Sequence, residues 1–280
     1  MALGNVAPGF VATMGALHEG HVSLIRRSAS ENSATVVSIF VNPTQFSDPL
    51  DLVTYPRDVE RDALLATAAG ADLVFVPKAG EIYPREFRTW VEVGGLGDRW
   101  EGAARPGHFR GVATVVAILL NLVRPERAYL GEKDYQQLVV VRRMHADLGL
   151  PGNIVACPTV RDHDGLALSS RNVRLSEEQR NEARVISRAL RRMVDLTQVG
   201  ETDARRLTMA ARDELAHRRD VAVEYVEVVD GETLEPLPRL VPGARAILAV
   251  RVGETRLIDN VALERTTNGA GTAALGPKGS

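Results

Sequence analysis

Two imidazoles three residues apart, His18 and His21, close the run Thr13-Met14-Gly15-Ala16-Leu17-His18-Glu19-Gly20-His21. The run lies where a buried strand, Gly9-Phe10-Val11-Ala12-Thr13, gives way to a helix expected from about Glu19 to Ala29, with Val22, Ile25 and Ala29 on one face. A helix N-terminus offers unpaired backbone N–H groups and a partial positive charge, both attractive to phosphate. The rings add aimed donors, and Gly20 between them removes a side chain that would obstruct a ligand. The chemistry suggested is that of a nucleoside triphosphate. A His-x-x-His pair can also ligate a metal; zinc would need a third protein ligand, and the one cysteine, Cys157, lies far along the chain. Local sequence leaves both readings open.

The elements that must position these rings follow from the pattern around them. Thr35 to Val41 reads as a buried strand stopped by Asn42-Pro43, Leu73 to Val76 as another ended by Pro77, and Arg127 to Leu130 and Ile154 to Cys157 as two more. Helical patterns over Asp58 to Ala69, Arg110 to Val123 and Asp134 to Leu148 alternate with them. Such alternation predicts an α/β fold with a doubly wound parallel sheet. In an open parallel sheet, ligands bind outside the carboxyl ends of the strands. Four polar clusters are expected there: Thr13 to His21, Asn42 to Gln45, Gly131-Glu132-Lys133-Asp134-Tyr135-Gln136-Gln137, and Pro158 to Arg161. Taken singly, each has an ordinary reading as a turn, a helix cap, a solvated pair or a surface amide, and so does the loop Arg105-Pro106-Gly107-His108. Gathered at one edge, they describe a site.

The pattern changes after Pro158. Ser176 with Gln179 makes a capping box for a helix expected to run to about Leu196, and a second helix follows from about Asp203 to His217. Three strand-like runs come next: Val221 to Val229, Arg245 to Val252 and Thr255 to Leu263. The expected organisation is therefore a first domain over residues 1–159, a smaller C-terminal α+β domain over 160–265, and a disordered tail over 266–280, which is rich in Gly, Ala and Thr. Between the domains, Asp164 to Asn172 carries Leu168, Ser169, Ser170 and Arg171, two hydroxyls and a guanidinium expected to close over a triphosphate.

Composition bounds the function. Of 280 residues, 45% are hydrophobic and 25% charged, which suits a globular protein with room for two domains. A net charge of −2 argues against a nonspecific nucleic-acid binder. One cysteine excludes an intrachain disulfide framework, and Cys157 ends an apolar run as a packed core thiol. No stretch approaches the roughly 20 apolar residues of a membrane span, and no signal peptide is visible, so a cytoplasmic location is expected.

At this point the chain resembles the pantoate–β-alanine ligase (pantothenate synthetase) family. The resemblance runs from Gly9 to about Glu264 through TMGALHEGH (Thr13 to His21), SIFVNPTQF (Ser38 to Phe46), YPRD (Tyr55 to Asp58), RPGHFRGV (Arg105 to Val112), GEKDYQQL (Gly131 to Leu138), DGLALSSRN (Asp164 to Asn172) and RLIDN (Arg256 to Asn260). It implies a Rossmann-like nucleotidyltransferase fold and a two-step reaction. Pantoate would attack ATP to give pantoyl adenylate and pyrophosphate; β-alanine would then displace AMP to give pantothenate. It implies that Met14, Gly15, Ala16, Leu17, His18, Glu19, Gly20 and His21 line the ATP site, with His18 and His21 on the phosphates and His21 the proton donor. Gly131, Glu132, Lys133 and Asp134 would bind ATP, Lys133 as phosphate clamp and Asp134 on the ribose; Val160, Leu168, Ser169, Ser170 and Arg171 would complete the nucleotide site. Gln45 and Gln137 would hold pantoate, with Gln45 also bordering β-alanine, and Asn42, Arg105 and His108 would shape the pocket. Mg²⁺ would arrive on the ATP phosphates with no protein ligand assigned. A homodimer is implied by family alone.

Two differences from the family pattern are visible. Ala12 stands where Pro is usual before Thr-Met-Gly, and a strand-and-helix segment usually precedes the strand at Gly9. Neither touches the motifs, so the chemistry is expected to be intact, with any cost falling on stability or dimer packing. Two other readings remain: an adenylyltransferase of the same superfamily that moves AMP onto a phosphate acceptor, and a nucleotide-binding module without turnover.

Overall fold

The computed structural model describes residues 7–264, which fall into two compact units dividing between Val160 and Arg161. The expected tail lies outside the described residues.

In the first unit the elements are β1 (Gly9–Thr13), α1 (Glu19–Glu31), β2 (Thr35–Ile39), α2 (Pro49–Val53), α3 (Val59–Ala68), β3 (Leu73–Phe75), α4 (Ala79–Ile82), α5 (Glu101–Ala104), α6 (His108–Val123), β4 (Arg127–Gly131), α7 (Tyr135–Asp147) and β5 (Asn153–Cys157). The five strands form one sheet in the order β3-β2-β1-β4-β5, every neighbouring pair parallel. β2 is buried along its whole length, as a strand covered on both faces must be. Phe10, Val36 and Ala128 pack under α6 and α7 on one face, while Val11, Val37 and Tyr129 pack under α1 and α3 on the other. Because β1 pairs with both β2 and β4, the chain winds outward in two directions from β1. The crevice at that reversal, at the carboxyl ends of β1 and β4, is where such sheets bind ligands. All strands being parallel, the turns after β1, β2, β4 and β5 emerge on the same edge, as the sequence pattern anticipates.

In the second unit, α8 (Glu177–Ala183), α9 (Val185–Gln198) and α10 (Ala204–Ala216) pack on an antiparallel sheet of β6 (Val221–Val229), β7 (Arg245–Val252) and β8 (Thr255–Ala262). Ser176 caps α8 in the reciprocal box read from sequence, and Asp203 caps α10. The single helix expected from Ser176 to Leu196 is instead two. The chain tightens at Arg184, whose backbone angles of φ −58° and ψ −22° are those of a 3₁₀ turn and whose Nε reaches Asp164 Oδ2 at 3.2 Å.

The RLIDN motif has a structural explanation in this unit. Asp259, 3% exposed, takes a two-pronged ion pair from Arg161, with Nη1–Oδ2 at 2.6 Å and Nη2–Oδ1 at 2.9 Å. Arg161 also bridges to Ala167, so Asp259 fixes the base of the loop that carries Leu168 to Arg171.

Candidate active site

At the end of β1 the Thr13 hydroxyl donates to the Ser38 carbonyl at 2.8 Å and accepts from the Gly15 amide at 3.2 Å, tying the turn to β2. The turn passes through Gly15 (φ +85°) and Ala16 (φ +50°) and delivers His18 as the N-cap of α1. His18 Nδ1 accepts the Gly20 amide at 3.2 Å, and His21 Nδ1 accepts the His18 amide at 3.4 Å. This is a capping box with imidazoles in both positions. A ring nitrogen that accepts carries no proton, so each neutral ring holds its hydrogen on Nε2. The rings lie 4.2 Å apart, tilted by 46°.

This geometry revises the expectation of free amides at the helix start. The Gly20 amide is spent on His18 Nδ1, and the His21 and Val22 amides on the His18 carbonyl at 2.8 and 3.1 Å. The Ala16 and Leu17 amides go to the Asp62 carboxylate. What each ring keeps as a donor is its Nε2–H, at the N-terminus of α1.

Lys133 and Asp134 arrive from the 3₁₀ turn Glu132–Asp134 that follows Gly131, the last residue of β4; Lys133 Nζ lies 3.2 Å from Asp134 Oδ1. They stand close enough to act on both rings. Burial lowers the pKa of His18 to about 4, with the Lys133 charge adding to the shift and Asp134 opposing it. Burial, then the neighbouring His18 and Lys133, lower His21 to about 3, again against Asp134. Both rings are therefore neutral near pH 7. For His21, expected as a proton donor, the free site supports donation of a hydrogen bond by a ring that keeps its proton. Of the remaining residues in this stretch, Leu17 points into the core, and Glu19 turns outward to pair with Arg26. Val160 lies just beyond β5.

A second corner forms after β2. Asn42 caps the 3₁₀ turn Pro43–Gln45. Its Oδ1 accepts from the hydroxyls of Thr44 (2.9 Å) and Tyr83 (2.8 Å), which fixes Nδ2 as donor to Gln45 Oε1 (3.0 Å) and to the Gly111 carbonyl (3.1 Å). The Gln45 carboxamide is thereby oriented with Nε2 donating to Met14 Sδ at 2.9 Å, at the end of β1. From the other side His108 Nδ1 donates to the Gln45 carbonyl at 2.8 Å and Arg105 Nη2 donates to it at 3.2 Å, while Arg105 Nη1 meets His108 Nε2 at 3.2 Å. Burial lowers the pKa of His108 to about 4, with the Arg105 charge next in weight. So Met14 and Gln45 join the two corners, and Asn42, Arg105 and His108 support Gln45.

Of the paired glutamines on α7, Gln136 is buried and committed: it donates to the carbonyls of Leu96 (2.8 Å) and Arg99 (2.9 Å) and accepts the Glu101 amide (3.0 Å). Gln137, the half-buried neighbour in the same first turn, is the one expected at the site. Sequence reasoning missed Tyr83, Asp62 and Gly111. Tyr83 and Asp62 lie far in sequence from what they hold, and nothing local marks them. Gly111 stands inside RPGHFRGV, and the signal was there: a Cβ on it would lie 2.4 Å from the Thr44 carbonyl oxygen.

Leu168, Ser169, Ser170 and Arg171 belong to the second unit. Ser169 Oγ accepts the Arg171 amide at 3.2 Å and caps the 3₁₀ turn Ser170–Arg174. Among the described residues no group of three or more His, Cys, Asp or Glu side chains is arranged to hold a metal ion, so the His-x-x-His pair finds no third ligand there. Among the same residues no helix is long and apolar enough to cross a membrane.

The comparisons with known proteins converge. The family model described as pantoate-beta-alanine ligase matches residues 3–262. The pantothenate synthetase of Deinococcus radiodurans is 55% identical over 262 residues, covering 91% of this chain and 93% of that protein. The crystal structure of pantothenate synthetase from Thermus thermophilus superposes with a TM-score of 0.91 at 52% identity, covering 94% of this chain and 95% of that one. The crystal structure of pantoate-beta-alanine ligase from Francisella tularensis, complexed with beta-gamma ATP and β-alanine, gives a TM-score of 0.77 at 36% identity, over 93% of this chain and 91% of that one.

Proposed function

The chain belongs to the pantoate–β-alanine ligase family, and from that premise we propose how its residues condense pantoate with β-alanine at the expense of ATP. A carboxylate is a poor acyl donor because its oxygen is a poor leaving group. ATP removes that obstacle. A pantoate carboxylate oxygen attacks the α-phosphorus, the bond from that phosphorus to the β-bridging oxygen breaks, and pyrophosphate leaves with the negative charge. The β-alanine amine then attacks the acyl carbon of pantoyl adenylate, the bond to the AMP oxygen breaks, and the amide forms as the amine gives up a proton.

The observation that carries this assignment is the pair of neutral imidazoles whose Nδ1 atoms are taken by backbone amides, which leaves Nε2–H as the donor of each ring, with the Lys133 charge close enough to act on both. His18 and His21 hydrogen-bond the phosphates, and Lys133 stabilises the charge that collects on departing pyrophosphate. Asp134 holds the ribose. Met14, Gly15, Ala16, Gly20, Gly131, Glu132 and Val160 are assigned to the nucleotide wall by their family motifs, whereas the Leu17 side chain packs in the core and Glu19 pairs outward with Arg26, so those two would contribute backbone alone. Leu168, Ser169, Ser170 and Arg171 are assigned to ATP by their family motif. Gln45 Nε2 donates to the pantoate carboxylate and borders β-alanine, and Gln137 holds pantoate hydroxyls. Fixed donors cost no reorganisation when charge develops, which is why the orientation of each amide and ring matters. Mg²⁺ enters as part of the ATP substrate, its ligands phosphate oxygens and water. The family further suggests a cytoplasmic homodimer.

Incubation with ATP, Mg²⁺, pantoate and β-alanine should give AMP and pantothenate in equal amounts, and pyrophosphate release should require pantoate. ATP binding without pantoate-dependent pyrophosphate would refute the assignment.

A further inference from the structure

We infer that Asp62, on α3, is a positioning residue for the adenylation step, acting through the turn that aims His18 and His21. The inference rests on the phosphate role assigned above to those two rings. Asp62 is 1% exposed, and a carboxylate so buried must be paired to be tolerated. Its partners are almost all in one place. Oδ2 accepts the Ala16 amide at 2.7 Å, Oδ1 accepts the Leu17 amide at 2.8 Å, and Arg61 Nη1 reaches Oδ1 at 3.4 Å while donating to the Leu17 carbonyl at 3.3 Å. The α3 side chains thus grip both polar groups of the residue immediately before His18.

The gripped turn would not hold this shape unaided. Gly15 has φ +85° and Ala16 has φ +50°; the left-handed region brings an alanine Cβ too close to the following carbonyl oxygen, so the surroundings must hold it there. The consecutive Ala16 and Leu17 amides of this turn converge on one spot, and successive turn amides of this kind commonly receive an anion. Here the anion is the protein's own carboxylate, 46 residues from Ala16 in sequence. That spot is filled from inside, the triphosphate is left to the ring donors, and the path of the backbone into the N-cap is set by Asp62. The fit is close, since a Cβ on Gly15 would lie 2.9 Å from Asp62 Oδ2.

Asp62→Asn keeps the shape but turns an amide NH₂ toward a backbone N–H, so one contact is lost and the turn shifts. The half-reactions separate positioning from general damage. Single-turnover formation of pantoyl adenylate should slow by about 10- to 100-fold, the scale of a sub-ångström to ångström misplacement. Conversion of supplied pantoyl adenylate by β-alanine, which needs no triphosphate contact, should stay within about twofold. The effect should also be non-additive with His21→Ala, the double variant adenylating no more slowly than His21→Ala alone. Equal loss in both half-reactions, an unchanged adenylation rate, or additive effects would each overturn the proposal. Gly15→Ala strains the same turn from the opposite side and must show the same split; if neither variant folds, the turn is a folding element and the positioning role is rejected. If His21→Ala itself leaves adenylation unchanged, it is the phosphate assignment that fails.

Discussion

His18 and His21 at one corner of the crevice and His108 at the other are the same residue type, all pushed toward the neutral form by burial, yet they are turned in opposite senses. At the β1–α1 corner both Nδ1 atoms accept backbone amides, so the N–H donors point outward from Nε2. At the Gln45 corner His108 spends its Nδ1–H on a carbonyl, and its Nε2 faces the Arg105 guanidinium. In the proposed function the first pair meets the ligand, and the second ring holds Gln45, which meets it. Burial lowers all three pKa values, but the hydrogen-bond partner of one ring nitrogen decides whether a neutral imidazole is a donor to substrate or a strut.

The largest effect should come from breaking the nucleotide corner alone. Lys133→Ala removes the charge assigned above to the leaving pyrophosphate while leaving Gln45 and its supports in place. Adenylation in a single turnover should fall by about 10²–10³-fold, with the KM for pantoate changed far less. An unchanged adenylation rate would remove Lys133 from the reacting centre.

Breaking the other corner should look different. In Gly111→Ala the new Cβ would lie 2.4 Å from the Thr44 carbonyl oxygen and 2.8 Å from the Gln45 amide nitrogen, all rigid backbone. The turn that carries Gln45 must move. The KM for pantoate should rise by about tenfold and stability should fall by about 1–3 kcal/mol, with the KM for ATP nearly unchanged. Parallel steady-state titrations of the two substrates read the contrast. Equal rises would mean that the corners are not independent.

How much of this was legible beforehand depended on the distance over which each feature is encoded. The parallel sheet and its polar edge were readable because strand, helix and turn signals are local: β1 and β7 fall where their apolar runs do, and the capping box at Ser176 is a four-residue pattern. Short helices such as α2 and α5 were not, since they have too few residues to show a period. The rings at His18 and His21 were visible as residue types, but their roles were only half visible. Which nitrogen accepts depends on the cap geometry, so sequence suggested free amides where the structure uses them to orient the rings. Tyr83 orients Asn42 from 41 residues away, Asn42 orients Gln45, and no spacing rule announces the relay. Gln136 and Gln137 are identical in sequence terms and are separated only by the turn of about 100° between successive helix positions.

The smallest effect is in the pH dependence of stability, and it follows from the same rings. An unfolded histidine titrates near 6.5, whereas burial holds folded His18 at about 4, His21 at about 3 and His108 at about 4. Well above pH 6.5 neither state is protonated and these rings contribute almost nothing to the pH profile. Below it the unfolded chain binds protons that the folded chain refuses, so stability falls as pH drops from 6.5 toward 4. Each ring adds a slope of up to about 1.4 kcal/mol per pH unit in that window. Urea unfolding at pH 8, 7 and 5.5 should show little change over the first step and a loss over the second. His21→Asn removes one of the three slopes while keeping an acceptor for the His18 amide, so its loss between pH 7 and 5.5 should be smaller than the parent's by about 1 kcal/mol. His108→Asn should flatten the profile by a similar amount, because the shift at both corners comes first from burial. If only the His21 variant flattens it, the two corners differ in burial as well as in the direction their rings face.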